Sequence, residues 1–159
     1  SFGKEHAKGM TAGDLKEFWH FGQFVEDNDS IGKEYPENVN VTEIPDFLPI
    51  GKEAYQTFES TGRHMLRAIA LYLGLDENYF DEHIHNGNSI SRPIHYPPIT
   101  GEIEEGAVRA GAHEDINLIT LLVGASADGL EVLNKPNEWK AVTAMEDHLV
   151  VNVGDMLQR

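Results

Sequence analysis

Apolar residues recur at helical spacing most clearly over residues 52–73. Tyr55, Phe58, Met65, Leu66, Ile69 and Leu73 fall along one side, with Glu59, Arg63 and Arg67 interleaved, the pattern of a helix with one buried stripe. Gly74 supplies a stop. Asp76 follows as the candidate N-cap of a second, shorter helix that turns Tyr79 and Phe80 inward. Residues 1–50 show no such period and are rich in Gly, Pro and Asp. Within them, Asp14-Leu-Lys-Glu-Phe-Trp19 is expected to form a short helix capped by Asp14, with Leu15, Phe18 and Trp19 on one side. The acidic stretch Glu26-Asp-Asn-Asp29 reads as a solvated loop. Pro36, Pro45 and Pro49 argue against a long helix or a central strand in this region.

After about Gly87 the texture changes. Short runs rich in Val, Ile, Leu and Thr alternate with Gly, Pro, Asn and Asp, which predicts strands. The expected strands are Ser89–Tyr96, Ala107–Ala112, Asn117–Val123, Leu130–Leu133, Trp139–Val142 and Leu149–Val153, with turns at Ala127-Asp-Gly129 and Lys135-Pro-Asn137. Helices followed by strands give an α+β chain that is mainly β, with N-terminal helices packed on a β-sandwich or jelly roll. A jelly roll needs about eight strands, more than can be counted here. The sequence also stops at an apolar run, Leu149 to Arg159, without a polar tail. It is therefore read as incomplete at its C-terminal end. Residues 1–88 are expected to be an N-terminal helical region and residues 89–159 the first part of the β core, one domain overall.

Composition narrows the function classes. The 159 residues carry 12 Lys+Arg against 27 Asp+Glu, a formal net charge of −15. So acidic a surface repels phosphate backbones and anionic lipid, which argues against nucleic-acid and membrane partners. There is no cysteine, so disulfides, thiolate metal sites and cysteine nucleophiles are excluded; this fits a reducing, cytoplasmic location. No dinucleotide-binding glycine pattern, phosphate loop or nucleophile elbow is present. Gly154-Asp155 reads as a turn, and Glu102, Glu104 and Glu105 as a solvated acidic loop.

The segment Val108-Arg-Ala-Gly-Ala-His-Glu-Asp115 is the most informative. In an extended strand, side chains two apart share a face, so Arg109, Gly111, His113 and Asp115 would point one way. An imidazole and a carboxylate on one face supply two ligands of a 2-His-1-carboxylate iron site. By spacing alone, an exposed His and Asp at a strand end is the better reading. The surrounding residues change that balance. Arg109-Ala-Gly-Ala-His-Glu-Asp-Ile-Asn-Leu-Ile-Thr-Leu-Leu122 resembles the first metal-ligand strand of the isopenicillin-N-synthase-like family of Fe(II)- and 2-oxoglutarate-dependent dioxygenases. Ser91-Arg-Pro-Ile-His-Tyr-Pro-Pro98 upstream is similar to the family's preceding strand. Downstream, Asp128-Gly-Leu-Glu-Val132, Trp139-Lys-Ala-Val142 and Val150-Val-Asn-Val-Gly-Asp-Met-Leu-Gln158 follow in the family's order. Phe2-Gly-Lys-Glu-His6 and Asp14–Trp19 resemble its N-terminal region.

The resemblance implies a double-stranded β-helix, with Fe(II) and 2-oxoglutarate as cofactors, O2 as co-substrate and a small molecule as substrate. It implies His113 and Asp115 as the first two metal ligands and Tyr96 as a contact to 2-oxoglutarate. Ile94 stands where plant-type members often have Asn. The family's second His ligand and its Arg-x-Ser motif would follow Gln158, so these residues alone are expected to lack the third ligand. His6, His20, His64, His83, His85, His95 and His148 read as surface, capping or loop residues rather than replacements for it. Three other classes stay open from sequence: an oxygen-only oxidase of the same family, a metal-dependent hydrolase using the same pair, and a catalytically dead jelly-roll binding module.

Overall fold

The long helix forms where the spacing puts it, but begins earlier. In the computed structural model, which describes residues 12–25, 29, 31, 34–124, 128–143, 145 and 147–159, α1 runs Phe47–Tyr72. Asp46 is its N-cap and Pro49 its third residue. The first backbone N–H groups of a helix have no internal partner, so a proline there removes nothing the helix needs. Gly51, Tyr55, Gly62, Leu66 and Ala70 form the buried face. The helix closes with Gly74 at φ 74; Leu75 N–H reaches the Ala70 carbonyl at 2.9 Å and Gly74 N–H that of Leu71 at 3.1 Å. This pair of bonds is a Schellman cap, which needs the left-handed backbone that glycine adopts without strain.

The chain divides into two compact units, Ser1–His113 and Glu114–Arg159. In the first, residues 14–21 are extended rather than helical. Their strand β1 (Glu17–Phe18) pairs antiparallel with β2 (Ile94–His95), Glu17 opposite His95 and Phe18 opposite Ile94. Trp19 N–H donates to the Pro93 carbonyl at 3.1 Å, and Phe21 and Ser91 exchange two bonds of 2.9 Å. The expected strand at 89–96 is thus shortened, since Pro93 has no N–H to give to the ladder. Asp14 does not cap a helix, because its carboxylate is occupied by Lys16 and by the Gly111 N–H. Phe21 is 4% exposed and lies against Gly51, where an added Cβ would fall 2.3 Å from the ring. Phe47 flanks it at 5.2 Å, with Trp19 edge-on to Phe47 at 5.4 Å.

Asp76 does not cap the second helix: α2 spans Asp81–Ile84 with Phe80 at its N-cap, and the Asp76 carboxylate instead accepts the Asn78 N–H at 2.9 Å in the turn that precedes it. Phe80 is buried, but Tyr79 is 47% exposed and stacks on His83 instead of entering the core. Arg67 grips Asp81 with Nε at 3.3 Å and Nη2 at 2.6 Å, which holds the Asp81 carboxyl below the usual carboxylate range. Tyr55 donates its hydroxyl to Gln23; burial, then the charge of Glu59, push its phenol up to about 12.

The second unit contains β3 (Ile119–Val123), β4 (Glu131–Leu133), β5 (Trp139–Ala141), β6 (Leu149–Val153) and a short α3 (Asp155–Gln158). β3 pairs antiparallel with β6, Ile119 opposite Val153 through Val123 opposite Leu149. β4 pairs antiparallel with β5 across the expected Lys135-Pro-Asn137 turn, where Asn137 has φ 61. The strands expected from residue 117 onward all form: β6 has the expected bounds, and β3, β4 and β5 are each one or two residues shorter than their sequence pattern. Of the turn at 127–129, Ala127 lies outside the described residues. Likewise, only Asp29 of the acidic 26–29 stretch is described, half-buried against Asn86. Among the described residues no helix is long and apolar enough to cross a membrane.

Gly51→Ala tests the seat of Phe21. Alanine should help an exposed helix by about 1 kcal/mol, but overpacking a filled site costs about 1–3 kcal/mol. Urea unfolding is expected to show net destabilisation, with the fold retained.

Candidate metal and co-substrate site

His113 closes the first unit, and its setting is built from the N-terminal segment. Leu15 N–H donates to the Val108 carbonyl at 2.9 Å, and Gly111 N–H donates to Asp14 Oδ1 at 3.2 Å. No strand forms over 107–112: after Val108 a carboxylate takes the place of the next backbone partner, and bends follow at 109–110. The alternation expected to align Arg109, Gly111, His113 and Asp115 therefore does not operate here. The His113 ring is oriented by its backbone instead, with Nδ1 donating to the Gly111 carbonyl at 2.8 Å. A carbonyl can only accept, so Nδ1 carries the proton and, in the neutral ring, the lone pair lies on Nε2. Metal-bound histidines are held in this way, one nitrogen donating to a fixed acceptor while the other faces the metal.

Asp115 opens the second unit, in the loop leading into β3. Its Oδ2 accepts the Thr120 hydroxyl at 2.6 Å and the Asn152 amide at 2.9 Å. Asn117 in turn donates to Thr120 Oγ1 at 2.9 Å. The corner after β6 fixes the same loop through its backbone. Gly154 N–H reaches the Leu118 carbonyl at 2.8 Å, Asp155 N–H the Asp115 carbonyl at 2.7 Å and Met156 N–H the Asn117 carbonyl at 3.2 Å. Gly154 is buried, and a Cβ there would fall 2.1 Å from the Asn117 carbonyl oxygen. Gly154-Asp155, which reads as a plain turn in sequence, is the brace of the loop that carries Asp115. The signal available was the run Asn-x-Gly-Asp at a strand end, whose close-approach glycine has no meaning until its neighbour is known.

Tyr96 lies half-buried just after β2. The other described histidines have local roles. His95 Nδ1 meets its cross-strand partner Glu17 at 3.2 Å. His20 accepts from Arg92 at 2.6 Å and stacks on Phe18. His64 and His83 bond to carbonyls one helical turn back, and His85 lies beside the Asn86 amide. His148 is exposed in the loop before β6, and His6 lies outside the described residues. Among the described residues no group of three or more His, Asp or Glu side chains is placed to hold a metal ion. Taken each by itself, His113 is an Nδ1-anchored imidazole and Asp115 a hydrogen-bonded carboxylate, donors of the two kinds that a 2-His-1-carboxylate centre uses.

Residues 76–159, more than half of the chain, match the pattern of the 2OG-Fe(II) oxygenase superfamily. The chain belongs to that superfamily. The 2-oxoglutarate-Fe(II) type oxidoreductase hxnY of Emericella nidulans is 30% identical over 94% of this chain and 45% of its own length. Kihadalactone A synthase LFS of Citrus sinensis is 31% identical over 91% of this chain and 47% of its own. Among solved structures, a 2OG-Fe(II) oxygenase family protein from Caulobacter crescentus is 43% identical, with a TM-score of 0.85 over 99% of this chain and 50% of that one. A full-length Neurospora crassa protein in complex with alpha-KG is 33% identical, with a TM-score of 0.76 over 91% of this chain and 44% of that one. The chain spans about half the length of the curated relatives it matches. Both candidate ligands and the Gly154 brace fall within the part matched to the superfamily.

The brace predicts an order of sensitivity in urea unfolding. Gly154→Ala drives a Cβ into backbone that cannot swing aside, and should cost the most, about 1–3 kcal/mol. Thr120→Val removes the short bond to Asp115 and should cost about 1 kcal/mol, with Asn152→Ala, at a more exposed bond, costing less.

Proposed function

We propose that the protein carrying this chain is an Fe(II)- and 2-oxoglutarate-dependent oxygenase acting on a small molecule, with His113 and Asp115 as two of its iron ligands. The observation that carries this reading is the superfamily match over residues 76–159, which contains both residues. It is supported by the solved relative crystallised with alpha-KG and by the way each side chain is held. The same Neurospora protein was also crystallised with alpha-KG and thymine, which supports a small-molecule substrate class. The antiparallel pairs β3–β6 and β4–β5 are taken to belong to a double-stranded β-helix.

Bound iron with 2-oxoglutarate and O2 supplies the oxidising power, 2-oxoglutarate leaving as succinate and CO2. The chain's own residues hold and orient. His113 binds through Nε2 because Nδ1 is committed to Gly111. Asp115 offers a carboxylate already aimed by Thr120 and Asn152, and its charge offsets that of the metal beside neutral imidazoles. Tyr96 is assigned to the co-substrate, its phenol able to donate to a carboxylate. The third ligand, a histidine, and the arginine for the co-substrate carboxylate are assigned to the part of the protein outside these 159 residues.

The test uses the full-length protein. Anaerobic addition of 2-oxoglutarate to the Fe(II) form should produce a weak visible charge-transfer band, and admission of air should release succinate slowly even without the true substrate. His113→Ala and Asp115→Ala should each weaken iron binding by at least tenfold and abolish the band, with the circular dichroism of the fold unchanged. A parent protein that binds iron but gives neither band nor succinate would move the reading to an oxygen-only oxidase. One that binds no iron would move it to a binding module.

A further inference from the structure

Asp14 and Lys16 are charged side chains only 5% and 7% exposed, paired at 2.8 Å. Removing two charges from water costs several kcal/mol per ion, and a buried pair often recovers less than apolar residues of the same size would. Stability alone is therefore a poor account of this one, and its geometry suggests another. Lys16 Nζ meets Asp14 Oδ2, while Asp14 Oδ1 accepts the Gly111 N–H. One residue on, Leu15 continues as ordinary backbone pairing to Val108. The carboxylate thus stands in for a ladder partner at the point where residues 109–113 leave the strand direction. Gly111 is held at its N–H by Asp14 and offers its carbonyl to His113 Nδ1 at 2.8 Å.

We infer that Asp14, braced by Lys16, is a positioning residue for the His113 imidazole, acting through Gly111. This rests on the proposal that His113 is a metal ligand. A backbone-to-backbone bond at Gly111 would have continued the ladder and fixed the direction of the next residues. A side-chain acceptor anchors Gly111 while leaving the following peptide to turn its carbonyl toward the ring. That carbonyl then fixes both the ring's rotation and its tautomer, which is the part that outer partners of metal-bound histidines play. The chain reaches across 97 positions to place this acceptor.

Co(II) is the probe, because its visible spectrum reports ligand geometry without turnover. In the full-length protein, Asp14→Ala should weaken Co(II) binding about tenfold and shift the spectrum, whereas Asp14→Asn, which keeps an oxygen acceptor for Gly111, should stay close to the parent. The double variant Asp14→Leu with Lys16→Met removes both members of the pair together, rather than leaving one of them buried without the other. It should keep the fold and still show the weakened, shifted Co(II) site. Tyr55→Phe, a buried change on α1, should lower the melting temperature and leave the spectrum alone. If the double variant folds and binds Co(II) with the parent's affinity and spectrum, the pair is structural only and the inference is overturned. His113→Ala separates the two claims: should it bind Co(II) like the parent, the ligand assignment falls and takes this inference with it.

Discussion

The first unit depends on one close approach, the ring of Phe21 lying on the Cα of Gly51. Only a residue without a Cβ lets the extended 14–21 segment come this near α1. Once seated, that segment has two partners left to choose. It pairs with Ser91–His95 through β1 and the Phe21–Ser91 bridge, and it takes up Val108 and Gly111 through Leu15 and Asp14. The helix, the strand before the candidate site and the residues leading to His113 are thereby tied to one short stretch of chain. Phe47 and Trp19 close around Phe21, so the contact also forms much of the aromatic core.

The second unit repeats the logic with different parts. Gly154 permits an approach that a side chain would block, and the corner after β6 then holds the Asp115 loop by three backbone bonds and the Asn152 amide. In both units a glycine allows contact between distant segments, and that contact aims a side chain with metal-binding chemistry. A metal centre gains from ligands held before the metal arrives, since ordering them at the moment of binding lowers affinity. His113 and Asp115 each have such support within their own unit.

Sequence periodicity served well where neighbours in the chain decide the structure. α1 follows from its apolar stripe, and β3 to β6 from runs of Val, Ile and Leu between turn residues. It failed where a distant partner decides. Asp14 before Leu15 has the signature of a helix cap, yet the same acceptor serves Gly111, and nothing local distinguishes the two uses. Ala107–Ala112 has the apolar character of a strand but lacks a continuous ladder partner. Pro49 reads as a barrier in sequence, but it falls in the first turn of α1, where a proline is tolerated. A helix starting after Asp76 would turn Tyr79 and Phe80 inward together, but α2 begins only at Asp81 and is too short to carry both aromatics into the core. The family, by contrast, was legible because several motifs in order are far more specific than His-x-Asp alone. The reasons those residues sit where they do, Gly154 and Asp14 above all, needed coordinates.

What we propose of His113 and Asp115 is that each is a ligand of the bound iron. Crystals of the full-length protein grown anaerobically with Fe(II), measured at the iron absorption edge, address it directly. The account predicts a single strong anomalous peak about 2.0–2.2 Å from His113 Nε2 and from an Asp115 carboxylate oxygen, the usual range of metal–nitrogen and metal–oxygen bonds. His113 Nδ1 should still donate to Gly111. A peak bound by other side chains, with His113 and Asp115 apart from it, would contradict the account.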